Sequence, residues 1–342
     1  MYTVQEWERV REKYKKILQE EEYGQMPPKG KSVNAILLNK QETECFAGKA
    51  VQKDFLLTVE FETGETVSFP FQTCFPANKK KNKAIVFLNF GAEVPHKYYP
   101  TEEIIDNGWG VARIFYKDVV SDCPSFDTMH NERVLRKLCP TTGRIMMWAW
   151  SAMRVLDVLC KMEEVDEKHV GVAGHSRLGK TALVAGAFDE RFAFVHSNCS
   201  GTGGACLYSE IGENSEYIKD VLYSWHWFCD KFSSYEGKEK ELPFEQSMLG
   251  SLIAPRTLSV TSAQDDLWAT PKGEFAFCKE SSPAWEVYGK KGFIAPDIAQ
   301  VNTAYYDGNA GYFYRTGSHF FSRVDWTQML RFFDKQIENE NE

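Results

Sequence analysis

A mostly parallel central sheet with helices on both faces, a three-layer α/β sandwich, is the fold class this sequence predicts, on three observations. Short, continuously apolar runs of the kind that form buried strands recur at residues 84–89, 110–116 and 169–173. Stretches with helical spacing lie between and after them, at 101–107, 144–162 and 181–187. The chain has 342 residues, 43% of them hydrophobic and 14% aromatic, which is enough for one large core. Alternating strand and helix favours parallel pairing with helices packed on either side. No internal repeat or low-complexity linker divides the chain, so residues 1–342 are read as one domain. Residues 1–75 form a helix-and-hairpin extension at its start, and 209–241 a possible insertion over the active face.

In chain order, residues 4–21 read as a charged amphipathic helix that ends near Gly24 and the Pro27-Pro28 break. Residues 55–61 and 66–71 alternate around Glu62-Thr63-Gly64-Glu65 and predict a β-hairpin. The strand at 84–89 follows, then the helix at 101–107 and the strand at 110–116. Residues 144–162 carry Trp, Met and Leu at helical spacing. The strand at 169–173 runs into the helix at 181–187 through a glycine-flanked turn. Residues 193–197 and 256–261 supply later strands, and 326–337 closes the chain as a helix.

A formal charge of −8 argues against nucleic acid as a partner, because phosphate binding rests on cationic surface. The one basic run, residues 79–83, reads as a solvated loop. Residues 1–22 are too polar for a signal peptide or a membrane span, so the chain as it stands reads as cytoplasmic, or secreted if a leader has been removed. The nine cysteines lack paired spacing and read as reduced core thiols. Neither they nor His96, His130, His169, His175, His196 and His226 have metal-ligand spacing, so no metal and no cofactor is expected. The sequence does not give the oligomeric state.

Residues 174–181, Gly-His-Ser-Arg-Leu-Gly-Lys-Thr, suit two machines. The spacing G-x-x-x-x-G-K-T matches a phosphate-binding P-loop, a nucleotide-binding reading, and the same stretch matches a nucleophile elbow with Ser176 at its apex. A P-loop usually opens its domain and needs a later apolar strand ending in a magnesium-binding Asp. Here several strands precede the motif, and the best downstream run, 258–266, is broken by Ser259, Thr261, Ser262 and Gln264. A hydrolase needs serine, acid and histidine in chain order. Asp266 lies 90 residues after Ser176, and His319 another 53 on, in a Gly-Ser-His context before the last helix. Order and spacing favour the elbow and so an α/β-hydrolase fold, with Ser176 as nucleophile, His319 as base and Asp266 as the acid that orients it. Asp265 reads as a solvated neighbour. The oxyanion would meet the Arg177 N–H at the helix start, with a second donor near residues 89–91, centred on Phe90.

With these residues in place, the chain resembles the glucuronoyl esterases, carbohydrate esterase family 15. The resemblance rests on residues 174–180, the helix at 182–188, the Ser200-Gly201-Thr202-Gly203-Gly204 segment, Trp227-Phe228, 242–244, 252–256, the Trp268 region and His319. It implies a serine esterase acting on carbohydrate esters, most specifically uronic acid (4-O-methyl-glucuronoyl type) esters, through an acyl-enzyme. It also implies that the Arg177 side chain joins the oxyanion hole, that Lys180 binds sugar hydroxyls, and that Trp268 and Trp227 contact the sugar. Fungal members carry the triad acid just before the Ser-Gly-x-Gly-Gly segment, where this chain has Cys199, a largely neutral thiol at pH 7. Some bacterial relatives place the acid after the penultimate strand, where Asp265 and Asp266 stand. A sugar-binding glutamate of the fungal members is replaced by Ser224, and Glu213 is the substitute the sequence offers. The enzymatic alternative is a sugar or xylan O-acetyl esterase. Other aromatic pairs, Trp148/Trp150 and Tyr305/Tyr306, read as core, and Trp225 as an even choice between core and site.

Overall fold

Hydrogen bonding joins ten strands into one sheet in the computed structural model, which describes residues 2–41, 45–122, 129–222 and 226–340. The strands are β1 Ser32–Gln41, β2 Ala50–Glu60, β3 Thr66–Pro76, β4 Asn82–Asn89, β5 Gly110–Phe115, β6 Val165–His175, β7 Phe194–Asn198, β8 Thr257–Ala263, β9 Thr303–Tyr305 and β10 Ala310–Arg315. Their order is β1-β2-β3-β5-β4-β6-β7-β8-β10-β9. The six strands from β5 to β10 in that order pair in parallel. Antiparallel strands extend both edges: β1 to β3 on one side and β9 on the other. This is the mostly parallel α/β-hydrolase sheet that the apolar runs predict. The hairpin is longer than its alternation suggests, pairing from Ala50↔Pro76 to Glu60↔Thr66, and β3 continues the main sheet through β5.

Alternate residues of β4 explain the layering. Ala84, Val86 and Leu88 enter the larger core beneath the Arg144–Leu159 and Arg177–Phe188 helices. Ile85 and Phe87 point the other way, into a second core with Trp326, Met329 and Phe333 of the Arg323–Glu340 helix. A sheet buried on both faces therefore shows no hydrophobic alternation in its central strands. The Arg144–Leu159 helix is buried along its whole length. Trp148 and Trp150 are core, as their helical spacing suggests.

The first helix, Val4–Leu18, starts with a reciprocal cap. Thr3 Oγ1 accepts the Glu6 N–H at 3.2 Å, and Glu6 accepts the Thr3 N–H at 2.8 Å. A π-turn over Gln19–Tyr23 carries it to Gly24, where φ is 80° and a Cβ would lie 2.0 Å from the Thr141 carbonyl oxygen. Lys79, Lys80 and Lys81 are exposed in the turn before β4. Among the described residues no helix is long and apolar enough to cross a membrane. Ser224 and Trp225 lie outside the described residues.

Candidate active site

The site stands at the carboxyl ends of the parallel strands, where an open α/β sheet offers a crevice. Ser176 joins β6 to the Arg177–Phe188 helix with φ 57° and ψ −129°, a conformation that non-glycine residues rarely adopt and that exposes the side chain at a sharp apex. Gly174 makes the turn possible, because a Cβ there would lie 2.0 Å from the Leu178 carbonyl oxygen. The Asn198 carbonyl at the end of β7 accepts the Ser176 N–H at 2.8 Å and ties the elbow to the next strand.

Asp266, in the turn after β8, accepts a hydrogen bond from His319 Nδ1 at 2.6 Å. Burial alone would raise the Asp266 carboxyl. Hydrogen bonds from His319, the Cys199 thiol and the Ala269 N–H, with the charge on the imidazole, bring it below the ordinary carboxylate value. Asp265 is exposed, and its N–H donates to the Gly317 carbonyl, so Asp266 is the one that meets the imidazole. His319 is 39% exposed and, with Ser176, lines a cavity of about 300 Å3. Next to His319, His175 is buried and held on Asn198 Oδ1 at 2.6 Å. Burial, then the His319 charge, pushes it down to about 3, so it stays neutral.

Arg177 lies across the cavity mouth, its guanidinium 4.5 Å from the Trp227 ring centroid and 5.6 Å from that of Phe90. It donates to Asp122, which also accepts from Tyr116 Oη and Trp227 Nε1, each at 2.8 Å. Asp122 follows no sequence motif, yet it fixes the cation. Trp227 is thus held edge-on to Asp122 and lines the cavity. The Phe90 N–H is occupied by Asn89 Oδ1 at 2.9 Å, so its expected role as a free oxyanion donor is not what the structure gives. Phe90 instead packs its ring in a second cavity beside Ser176, with His96, Lys97 and Tyr98.

Lys180, one turn past the serine, is 2% exposed. Its Nζ donates to the Ser200 carbonyl at 2.6 Å and to Glu216 Oε2 at 2.8 Å. A surface lysine on a helix would show neither contact. Glu213 is exposed and outside the cavity, and Glu216, three residues on, lines it with Asp220 and Trp268. The Glu216 N–H donates to the Trp268 carbonyl at 2.9 Å, which pins this stretch of 209–241 to the turn carrying Asp266. Trp268 is 49% exposed at the rim. Beneath, the fully buried Glu274 accepts the Ser200 and Gly201 N–H groups at 2.7 and 3.1 Å and holds the turn on which Lys180 rests. Burial raises its carboxyl to about 8.

These contacts also weigh against the P-loop. A phosphate-binding lysine faces its own loop, whereas Lys180 faces a carbonyl and a carboxylate, which repel phosphate. The magnesium-binding hydroxyl of such a motif would be Thr181 Oγ1, which here donates to the Arg177 carbonyl at 2.9 Å.

Comparison with known proteins agrees with this geometry. The family model described as "Glucuronyl esterase, fungi" matches residues 59–289. The carbohydrate esterase MZ0003, from an unknown prokaryotic organism, is 36% identical over 242 residues, 69% of this chain and 55% of the relative. The 4-O-methyl-glucuronoyl methylesterase of Podospora anserina is 28% identical over 298 residues, 83% of this chain and 57% of the relative. The chain thus spans little more than half the length of these curated relatives. The solved glucuronoyl esterase from Solibacter usitatus superposes with a TM-score of 0.87 at 29% identity, covering 98% of this chain and 94% of that one.

Proposed function

The chain belongs to the glucuronyl esterase family, carbohydrate esterase family 15, and from that membership and the site we propose that it hydrolyses uronic acid esters through an acyl-enzyme on Ser176. The observation that carries the reading is Lys180. A buried ammonium paired with Glu216, in the same cavity as Ser176 and His319, offers one donor and one acceptor to neighbouring sugar hydroxyls. Trp268 at the rim supplies a flat apolar face for the pyranose ring. An O-acetyl esterase has its sugar on the alcohol side of the bond and has no need of this pair beside the acyl group.

In this mechanism His319 takes the Ser176 proton as the hydroxyl attacks the ester carbonyl. Asp266 holds the imidazole with its Nδ1 proton inward and stabilises the imidazolium that forms. Negative charge growing on the carbonyl oxygen meets the Arg177 N–H at the helix start and the Arg177 guanidinium, whose orientation Asp122 sets. His319 then returns the proton to the departing alcohol. Water enters by the same route, giving up a proton to His319 as it attacks the acyl-serine, and His319 passes that proton to the departing Ser176 oxygen as the uronic acid is released.

The test is hydrolysis of a methyl or benzyl glucuronate ester beside an acetylated xylan. The expected result is turnover of the glucuronate ester with little acetate release, and loss of essentially all turnover in Ser176→Ala with an unchanged circular dichroism spectrum. Acetate release exceeding uronate release would select the acetyl esterase, and full turnover in Ser176→Ala would remove the serine mechanism.

A further inference from the structure

The cavity wall carries a thiol that takes part in none of the proton transfers of the proposed mechanism. Cys199 follows β7 in a left-handed conformation, φ 47°, and is 1% exposed. That backbone turn places its thiol beside Asp266, whose carboxyl it helps to hold down. The Cys199 Sγ, an Asp266 carboxylate oxygen and a His319 ring nitrogen all lie within 4.8 Å of one another. Among the described residues no other three groups of these types gather in this way. Zinc bonds of about 2.0–2.3 Å put tetrahedral ligands roughly 3.5 Å apart, so the His319–Asp266 pair, now 2.6 Å apart, opens by about an ångström to admit the metal while the thiol stays within reach.

We propose that Cys199, Asp266 and His319 form an inhibitory site for a thiophilic divalent cation, of which zinc is the type. Thiolate, imidazole and one carboxylate are the donors that zinc prefers, while magnesium and calcium call for oxygen ligands. On binding, the metal replaces the Cys199 thiol proton, which is released to solvent. The carboxylate is already ionic, and the imidazole stays neutral, its one proton moving from Nδ1, which faces Asp266, to Nε2 as the metal takes Nδ1. Inhibition follows because the metal holds His319 and Asp266 away from proton transfer with Ser176. The inhibition rests on the esterase reading, whereas the binding does not.

Metal-stripped protein titrated with cobalt(II) tests the site directly, since a thiolate ligand gives an intense near-ultraviolet charge-transfer band. The expected result is one equivalent of cobalt bound with that band, displaced by zinc, present in Ser176→Ala and lost in both Cys199→Ser and Cys199→Ala. In parallel, initial rates are read relative to each variant's own metal-free rate. Zinc in the micromolar range should lower the parent rate at least about tenfold, reversibly with EDTA, and the Cys199 variants less than about twofold. Magnesium and calcium should leave all of them unchanged. A cobalt band that persists in both Cys199 variants, its absence from the parent, or equal zinc inhibition of parent and variants would overturn the proposal. The expected cobalt band in a protein with no activity on glucuronate esters would leave the metal site standing and refute the esterase reading instead.

Discussion

Replacing Asp266 by asparagine changes one atom and is the sharpest test of how this triad is built. In the parent, one carboxylate oxygen accepts His319 Nδ1–H at 2.6 Å, while the other receives the Ala269 N–H at 3.4 Å. An asparagine has a single acceptor oxygen. If that oxygen stays on the Ala269 N–H, the amide NH2 faces His319 Nδ1 and forces its proton to Nε2. The nitrogen that should take the Ser176 proton is then already protonated. If the amide flips, the imidazole keeps its tautomer but loses the charge that stabilises imidazolium, and the Ala269 N–H keeps only the Asp266 backbone carbonyl, at 3.2 Å. Either way the cost falls on kcat, by about 10⁴-fold for a triad carboxylate made neutral, or about 5.4 kcal/mol of barrier. KM should change little, because Asp266 sits behind the imidazole. The assay is steady-state hydrolysis of a methyl glucuronate ester, with Asp265→Asn as control, since that carboxylate is exposed. An Asp266→Asn enzyme within tenfold of the parent, or an equal loss in Asp265→Asn, would refute the assignment.

Arg177→Ala should lower kcat by about 10²–10³-fold with a small change in KM, as loss of one oxyanion donor does; an effect confined to KM would place the guanidinium on the ground-state substrate. Lys180→Ala should mainly raise KM for uronate esters while an aryl acetate, which has no sugar hydroxyls, is turned over as by the parent; equal losses on both substrates would make Lys180 a support for the elbow. Glu274, raised by burial from 4.5 to about 8, binds its proton more tightly folded than unfolded. Its contribution to stability is therefore complete below about pH 4.5 and lost as pH rises through about 8. Glu274→Gln keeps the acceptor for the Ser200 and Gly201 N–H groups, so its melting temperature should fall less steeply than the parent's from pH 5 to 9; parallel pH profiles would show that Glu274 keeps its charge in the fold.

Much of this was legible in the sequence because the relevant constraints are local. An apolar strand, two glycines around a serine and a following helix specify the elbow within about a dozen residues, and only glycine is tolerated at position 174. The central strands were legible for a similar reason, since burial on both faces leaves continuous apolar runs. β1 was not, because it is an edge strand whose consecutive Ile36, Leu37 and Leu38 are all exposed, so no alternation marks which face is inward. Glu216 and Asp122 were missed for another reason. They reach the site from irregular segments, and only the fold puts Glu216 against Lys180 and Asp122 against Arg177. Phe90 was expected as an oxyanion donor, but the side chain of Asn89 takes its N–H, a contact no spacing rule anticipates.

On the proposed mechanism, the acid occupies a different turn from the one the resemblance implies for fungal members, and the strand pairing explains why both turns serve. β7 and β8 are adjacent and parallel, with Asn198 opposite Thr261, and the Cys199 N–H donates to the Thr261 carbonyl at 2.8 Å. The turns that follow the two strands therefore open onto the same side of His319, and a carboxylate carried by either one reaches the same imidazole. The resemblance puts the acid after the first of these strands in fungal members, whereas here it follows the second. Two carboxylates in that space would raise each other's pKa and leave one of them protonated. Cys199 avoids this conflict. Burial, together with the neighbouring Glu274 and Asp266 charges, holds its thiol well above the ordinary range, so it stays neutral and donates to Asp266. The Asp266 carboxyl lies below its ordinary value partly because of that donor. A neutral thiol at position 199 thus adds to the larger effect of His319 in holding the Asp266 carboxyl down and brings no competing charge.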